Sequence, residues 1–428
     1  MKIYREFVLI LPFPWYNYNH SMVKRILYSI LVVTGLCLVT AGVISYGRGY
    51  RFDFKQKTIS PTGILSVASY PEGASILVDG KLLSASNASL SLDPNWYDVK
   101  VEKTGYQSWN KRVKIQGEVV TKVDALLLPT SPSLRALTVT GVTSPTLSPS
   151  TTRLAYIVPE EESTSSANLP PRRGVWIMDL RNSALGGNPQ PRQVYLSPEG
   201  LDLSGGEILW SPDEKQLLFL VKKLSGQKET VISALQISLD GGSIPVEVGR
   251  IYPTIISQWE TMRKEQEDIL LTGIPITVAQ TLKNGASTIH FSPDETKIFY
   301  QATGSATIER VIDPPLIGSN STEETRTLTP KNYYIYDVKE EKNFALTDGK
   351  SFPNPSSLFW YTDSKHIVMI EKDTISIIDY DGLNKRAVFQ GSFENGYVFP
   401  WSSGGKLVIL TRLTKSSPFP TLYEIDLR

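Results

Sequence analysis

The phrase Trp210-Ser211-Pro212-Asp213, which runs directly into the apolar stretch Gln216–Val221, decides the fold of this chain. It returns almost letter for letter as Phe291-Ser292-Pro293-Asp294, ahead of a second apolar stretch. Each copy ends one strand with a bulky residue, fixes φ with proline and bonds the backbone through aspartate or serine, so it predicts a turn between two strands. Three eroded copies are Leu147-Ser148-Pro149-Ser150, Trp360-Tyr361-Thr362-Asp363 and Trp401-Ser402-Ser403-Gly404.

The five copies belong to a longer repeat. Each is followed by a further apolar run, and the units recur at intervals of roughly 35 to 80 residues, which suits propeller blades with variable loops. Such uneven spacing excludes a solenoid, whose stacked units need nearly constant length. The sequence predicts a mainly β chain with a propeller of about five blades, with six still open. The further runs are Val175–Leu180, Val231–Leu239, Tyr333–Val338, Thr374–Tyr380 and Leu422–Leu427.

These turns resemble those of the TolB-like and WD-type propeller families over about residues 134–428. The resemblance implies the fold and no particular chemistry, because propellers host many unrelated functions. A propeller must also cover the edge of its last blade, usually with a strand from the opposite end of the domain. Leu134–Thr140 is predicted to pair in this way with the last blade.

A smaller segment of alternating strands precedes the repeat. Trp109, Val113 and Ile115 alternate with polar residues, the pattern of a half-buried sheet. Four stretches of the segment stand out: Pro71-Glu72-Gly73-Ala74, Val78-Asp79-Gly80-Lys81, Trp96–Val101 and Lys103–Tyr106. Through them the segment resembles the PEGA domain over about residues 63–129, which implies a compact β-sandwich-like module of surface or envelope proteins without known catalytic residues.

The N-terminal region predicts a membrane anchor. Ile26–Tyr46 contains 21 residues without a charge, about 31 Å as a helix, which matches a bilayer core of about 30 Å. A cleaved signal peptide is the main alternative, but its apolar segment normally has only about 7 to 15 residues. We expect residues 1–25 to be cytoplasmic and the C-terminal domains extracytoplasmic. Translation from Met22 instead of Met1 is a further hypothesis.

Three long insertions interrupt the blades. Glu160–Arg173 and Thr303–Asn332 separate second from third strands, and residues 255–284 form a predicted helical insertion between two blades. In a four-stranded blade all three leave from one face, so we expect them to form the binding face. The predicted apolar contacts on this face are Trp259, Pro314, Pro315, Leu316 and Ile317.

The sequence offers no recognisable catalytic or cofactor chemistry. The only histidines are His20, His290 and His366, and the single cysteine, Cys37, lies in the apolar helix, so no His/Cys metal site is expected. We interpret Asp213, Asp294 and Asp363 as turn caps, and Trp210, Phe291, Trp360 and Trp401 as packing between blades. No catalytic, cofactor or metal residue is predicted.

Charge narrows the class of partner. Residues 1–51 contain six basic residues and one acidic residue, a formal net charge of +5. Because the whole chain has a formal net charge of +1, residues 52–428 carry −4. A mildly acidic bulk without a basic stripe argues against nucleic acid. We therefore expect a membrane-anchored envelope protein that binds or scaffolds a protein or glycan and is not an enzyme. The alternatives are an extracellular propeller enzyme, a hydrolase or lyase, or an envelope sensor.

Overall fold

The structure, a computed structural model, describes residues 18–47, 50–53, 58–159, 172–181, 190–225, 228–240, 244–394, 396–413 and 418–428. Residues 1–17, and with them most of the predicted cytoplasmic segment, lie outside the described residues. The same holds for most of the predicted loop Glu160–Arg173.

The first element is helix α1 (Tyr18–Gly47). Within it Met22–Ser45 has a mean hydropathy of 2.3 and none of its residues is buried. By length and composition this helix is able to cross a membrane. A hairpin of strands β1 (Tyr50–Asp53) and β2 (Thr58–Pro61) follows.

The next segment holds seven short strands in two sheets. A four-stranded sheet has the order β5-β4-β7-β8, and a three-stranded sheet the order β6-β3-β9. The predicted alternation is confirmed, because Trp109, Val113 and Ile115 are all buried while Asn110 and Lys114 between them are exposed. The strands are β3 (Gly63–Tyr70), β4 (Ser75–Val78), β5 (Lys81–Ala85), β6 (Ala88–Leu92), β7 (Trp96–Glu102), β8 (Trp109–Lys114) and β9 (Val120–Leu126).

Residues 133–426 form five four-stranded antiparallel sheets, which we number as blades 1 to 5 in chain order. Blade 5 takes its outermost strand from the start of the region, β10 (Ser133–Ala136). Blade 1 contains β11 (Thr143–Leu147), β12 (Arg153–Val158), β13 (Gly174–Asp179) and β14 (Arg192–Leu196). Blade 2 contains β15 (Glu207–Trp210), β16 (Gln216–Ser225), β17 (Lys228–Ser238) and β18 (Val246–Glu247).

The remaining blades follow the same order. Blade 3 contains β19 (Ala286–Phe291), β20 (Lys297–Ala302), β23 (Tyr333–Asp337) and β24 (Lys342–Thr347), with the small pair β21 (Ala306–Thr307) and β22 (Thr327–Leu328) in the loop between β20 and β23. Blade 4 contains β25 (Leu358–Trp360), β26 (His366–Glu371), β27 (Thr374–Asp379) and β28 (Arg386–Gln390). Blade 5 contains β29 (Val398–Pro400), β30 (Lys406–Thr411) and β31 (Thr421–Asp426). The mainly β propeller fold is thereby confirmed.

The predicted closing strand is also confirmed. β10 pairs antiparallel with β31, and the backbone N–H of Leu137 donates to the carbonyl of Leu422 at 2.8 Å. The apolar contribution is smaller than the sequence suggests, because Val139 is 87% exposed and Leu134 40% exposed. The strand therefore closes the blade mainly through backbone hydrogen bonds, which cover an edge that water or another chain would otherwise reach.

The repeated turn has one geometry in all five blades. The first and second strands pair across it with an offset of seven residues, as in Trp210↔Leu217, Trp360↔Ile367 and Pro400↔Leu407. Pro400, rather than Trp401, therefore holds the first position in blade 5, which corrects the alignment read from the sequence. The fifth position is left-handed in every blade: Thr151 (φ 60°), Glu214 (57°), Glu295 (59°), Ser364 (61°) and Gly404 (74°).

The predicted helical insertion is confirmed as two helices between blades 2 and 3. They are α2 (Tyr252–Leu271) and α3 (Ile276–Gly285). Pro275 caps α3 instead of lying in its first turn, since its ψ of 134° is extended. Val278 and Leu282 form the buried face of α3, as predicted, and pack against blade 3.

Candidate functional site

A run of exposed apolar residues lies in the loop between β20 and β23. Ile317 is 72% exposed, Leu316 40% and Val311 48%. Pro314 and Pro315 between them are exposed as well. We call residues 311–317 the apolar tip. Its members are Val311, Ile312, Asp313, Pro314, Pro315, Leu316 and Ile317, six of them apolar.

One end of the apolar tip is held by a buried carboxylate. Glu341, only 4% exposed, accepts hydrogen bonds from the backbone N–H of Val311 at 3.1 Å and of Ile312 at 3.3 Å. The same carboxylate pairs with Arg326 at 3.0 Å, and Arg326 pairs in turn with Glu324 at 2.8 Å. Breaking such a buried pair leaves an uncompensated charge, so this anchor is costly to release.

The other end of the apolar tip is held by Asn320. Its backbone N–H donates to Glu340 at 2.8 Å, and its side-chain amide donates to Asp381 at 2.9 Å. Thr322 donates to the same Asp381 oxygen at 2.7 Å, and Lys111 forms an ion pair with it. Burial by itself raises the pKa of Asp381, but these partners lower it below its usual range, so this carboxylate is ionised at neutral pH.

The positions of these anchors correct the prediction of a single binding face. Glu340 and Glu341 lie in the turn between the third and fourth strands of blade 3, and Asp381 lies in the equivalent turn of blade 4. In an antiparallel blade these turns share an end with the Ser-Pro-Asp turns. The loop therefore leaves from the predicted face, runs along the outer strand through the bond from Thr325 N–H to Asn343 O, and places its tip on the short-turn side.

Trp259 is not an exposed contact, so that part of the predicted site is wrong. Its side chain is 7% exposed and packs with Ile255 against Leu218, Leu220 and other residues of blade 2. We expected the indole to contact a partner, but it belongs to the apolar side of α2, which packs against blade 2. Of the predicted site, Pro314, Pro315, Leu316 and Ile317 are exposed. Their role in binding stays a prediction.

A second group of polar residues lies on the short-turn side of blade 4, and no local sequence pattern indicates it. Lys111 pairs with Asp381, and the indole N–H of Trp109 donates to Asp379 at 2.8 Å. Arg386, 8% exposed, donates to the carbonyl of Leu126 at 2.6 Å. Residues about 260 to 280 positions apart in the chain therefore meet, a separation that no local pattern encodes.

His366 forms the centre of this group. Its Nδ1 lies 2.6 Å from Asp363 and its Nε2 lies 3.2 Å from Asp379. Burial lowers the pKa of His366, but the two carboxylates outweigh it and raise the pKa to about 10. The side chain is therefore a buried imidazolium at neutral pH, with a carboxylate within ion-pair distance of each nitrogen, as expected for a structural histidine.

Asp213 and Asp294 cap their own turns, as predicted. Asp294 accepts from the hydroxyl of Ser292 at 2.7 Å and from the N–H and hydroxyl of Thr296. Burial alone raises the pKa of Asp294, but these hydrogen bonds lower it to about 2. Asp213 accepts from Ser211 at 2.7 Å in the same way. Within the described ranges no group of three or more His, Cys, Asp or Glu side chains is placed to hold a metal ion.

Comparison with known proteins identifies one domain. Residues 62–131 match the PEGA domain, which confirms the resemblance inferred for residues 63–129. A search of curated proteins found no match.

Solved structures similar to this chain are propellers of low identity. The protein described as TolB from Agrobacterium tumefaciens is 14% identical, over 64% of this chain and 72% of its own, with a TM-score of 0.20. TolB from Acinetobacter baumannii is 15% identical, over 77% of this chain and 59% of its own, with a TM-score of 0.22. The propeller domain of Cps50 (Swd1) from Myceliophteria thermophila is 8% identical, over 69% and 100%, with a TM-score of 0.26. The five four-stranded sheets, rather than these alignments, establish the propeller.

Proposed function

We propose that this chain is a membrane-anchored, non-catalytic binding protein of the cell envelope, and that its propeller recognises another protein through the apolar tip, residues 311–317. The observation that carries the proposal is an exposed apolar run on a loop whose two ends are fixed by buried charges. Apolar groups that face water in a soluble region commonly mark an interaction site.

The anchoring of the tip supports recognition of a folded partner. A loop that is already ordered loses little conformational entropy when it binds, so more of the contact energy appears as affinity. The hydrogen bonds from Val311 and Ile312 to Glu341, and from Asn320 to Asp381, order the loop before any partner arrives. Two prolines, Pro314 and Pro315, restrict the tip further.

The proposed location rests on two further features. Helix α1 has the length and apolar composition of a membrane span, and residues 62–131 match a PEGA domain. We propose that the N-terminus lies inside and residues after the helix lie outside. Protease added to cells whose outer barrier has been opened should remove the C-terminal domains. Complete protection of these domains, with a periplasmic or surface control protein digested, contradicts this orientation.

Site-specific photocrosslinking tests the binding role. A photoreactive residue replaces Ile317 in the full chain in its native membrane, and a matched control carries it at Val139, which is 87% exposed outside the tip. The proposal expects a discrete protein adduct from position 317 that is absent from position 139. The double variant Leu316→Ser, Ile317→Ser should then weaken binding of the identified protein, because it removes apolar contact without disturbing the buried anchors.

Two results contradict the proposal. The first is identical adducts from positions 317 and 139, which indicates random collision. The second is labelling of lipid alone at position 317, which assigns the apolar tip to a membrane surface.

A further inference from the structure

Adjacent turns are joined by a side chain at two of the blade junctions. Between blades 1 and 2, Glu214 at the left-handed fifth position accepts from the backbone N–H of Ser150 and pairs with Arg153 at 3.0 Å. Between blades 3 and 4, the hydroxyl of Ser364 at the same position accepts from the N–H of Asp294 at 3.0 Å. In both cases an acceptor oxygen from one turn binds the fourth-position N–H of the preceding turn.

This bridge is missing between blades 4 and 5. The fifth position of blade 5 is Gly404, which has no side chain, and the sixth is Gly405. The equivalent N–H, that of Asp363, makes no hydrogen bond to any residue of the described chain. The bridge seen at two junctions is therefore absent here, as it is at the fourth-position N–H groups of Asp213 and Ser403 among the described residues. Asp363 is an exposed residue, so its N–H is open to water or to a ligand oxygen.

A cavity of about 360 Å³ occupies the place of the missing side chains. It is lined by Asp363, Gly404 and Gly405, and its other walls include Tyr70, Tyr361 and Leu126. The other four blades have side chains at the fifth and sixth positions, as in Ser364-Lys365 and Glu214-Lys215. Replacement of both by glycine opens the space, whose volume suits a small molecule.

One cationic side chain of the cavity lining, that of Arg428, has no carboxylate partner among the described residues, whereas His366 lies between the carboxylates of Asp363 and Asp379. Three cationic side chains line the cavity, those of Lys365, His366 and Arg428, against two carboxylates, Asp124 and Asp363. Both carboxylates are already paired, Asp124 with Lys365 at 2.6 Å and Asp363 with His366 at 2.6 Å. The guanidinium of Arg428 donates to the carbonyl of Gly404 at 3.3 Å and forms no ion pair with the described residues. An arginine in this state is suited to a carboxylate ligand.

We propose that this cavity binds a small molecule carrying a carboxylate on an apolar or aromatic body. The ligand carboxylate takes the place that the Glu214 carboxylate holds between blades 1 and 2: it accepts from the N–H of Asp363 and faces the guanidinium of Arg428. The body of the ligand lies against Tyr70, Tyr361 and Leu126.

Two isosteric probes test this site: benzoate and benzamide. Each is titrated into the full chain in a non-ionic detergent, with aspartate labelled by ¹⁵N so that the amide of Asp363 reports on its own hydrogen bond. Benzoate should shift this signal saturably and bind at least about tenfold more tightly than benzamide, since charge-assisted hydrogen bonds are about twice as strong as neutral ones. Arg428→Gln should weaken benzoate and leave benzamide unchanged.

Gly404→Glu provides the decisive variant. A Cβ at this position lies 3.5 Å from Thr362 Oγ1 and 3.8 Å from Tyr361 Oη, which is ordinary contact, and the equivalent residue of blade 2 is itself a glutamate. The new carboxylate should bind the Asp363 N–H from within the chain, move its signal as benzoate does, and abolish benzoate binding. The matched control is Gly396→Glu, a left-handed glycine of the same region with no atom within 4 Å of its Cβ position; it adds the same charge and should leave binding unchanged.

The proposal is overturned by equal affinity for benzoate and benzamide, or by the absence of a saturable shift at Asp363 with any probe. It is also overturned if benzoate binds Gly404→Glu as it binds the wild type. If Gly404→Glu does not fold, the Arg428→Gln comparison of benzoate with benzamide decides alone, because that residue is exposed.

Discussion

The contacts between blades 1 and 2 and between blades 3 and 4 include a tryptophan of the repeat, whereas the contact between blades 2 and 3 does not. At the first two, a tryptophan at the first turn position donates its indole N–H to the preceding blade: Trp210 to the carbonyl of Thr146 at 3.2 Å, and Trp360 to that of His290 at 3.0 Å. At the third, the same position is Phe291, which has no donor, and two helices lie between the blades.

At the junction between blades 2 and 3, the two helices provide the hydrogen-bond donor and the apolar packing that a tryptophan of the repeat provides at the other two junctions. Arg263 of α2 donates to the carbonyl of Trp210 at 2.8 Å, and Trp259 and Ile255 pack against blade 2. Val278 and Leu282 of α3 pack against blade 3. The comparison shows that the repeated sequence determines the conformation of the turn. The contacts between neighbouring blades are instead determined by the side chains that lie at each junction, inside or outside the repeat.

The largest expected effect concerns a direct junction. Trp360, 8% exposed, packs between blades 3 and 4. Trp360→Ala should cost about 3–5 kcal/mol of unfolding free energy, because it leaves a large cavity. Trp360→Phe keeps most of the ring and loses the indole bond, at a cost of about 1 kcal/mol. Urea unfolding of the full chain in detergent measures both. Equal losses would show that the hydrogen bond, and not packing, maintains the junction.

The helical junction should respond locally. Leu282→Ala removes a fully buried contact between α3 and blade 3 and should cost about 2–5 kcal/mol. Hydrogen exchange should accelerate in α3 and β19, with β12 and β13 of blade 1 unaffected. Thr281→Ala, one residue away and half-buried, is the control, because it removes only a hydroxyl that donates to the carbonyl of Thr277. Uniform acceleration over all five blades would mean that the helices and the ring unfold as one unit.

The polar link of the helical junction should be weaker. Arg263→Met removes the donor to Trp210 O but keeps the length of the side chain, and we expect a loss of about 1 kcal/mol because the residue is exposed. Lys264→Met, its exposed neighbour, is the matched control. If both variants lose equal stability, the bond to Trp210 does not contribute to this junction.

The smallest expected effect depends on pH. The pKa of Asp294 is lowered to about 2 in the folded chain. A lowered pKa stabilises the fold above the unfolded value near 3.8, and this contribution is lost as pH falls from about 4 through 2. Asp294→Asn should therefore be slightly less stable than the wild type at pH 7, with the difference vanishing at acid pH. A difference that persists below pH 2 would indicate a steric cause.

The sequence predicted those features that depend on neighbouring residues. The turn at Asp213 and Asp294, the buried face of α3 and the pairing of β10 with the last blade all follow from local patterns and from the need to cover a strand edge. The prediction that Trp401 holds the first turn position of blade 5 is wrong. The dipeptide Trp401-Ser402 matches the start of the repeat in sequence, but the strand pairing assigns the first position to Pro400.

The candidate sites could be predicted only in part. An apolar run at Pro314–Ile317 is visible in the sequence, and these residues are exposed. Trp259 is also hydrophobic, but it is buried. The pattern of apolar residues in one helix predicts an apolar side of that helix, but it does not indicate whether this side packs against a blade or against a partner. The loop begins on its expected face, but its tip lies on the other side of the blade. There, buried Glu341 and Asp381 accept hydrogen bonds from the backbone of Val311 and Ile312 and from the side chain of Asn320.

The sequence by itself determined the class of the fold, the anchor-like helix and the PEGA domain, because turns, strand alternation and a 21-residue uncharged stretch are properties of adjacent residues. Only the tertiary structure decided which groups meet across hundreds of residues. The imidazolium of His366 between Asp363 and Asp379, the contact of Trp109 with Asp379, and the cavity beside Gly404 are of this kind. Their energies depend on burial and on distances of about 3 Å, and these exist only once the blades have packed.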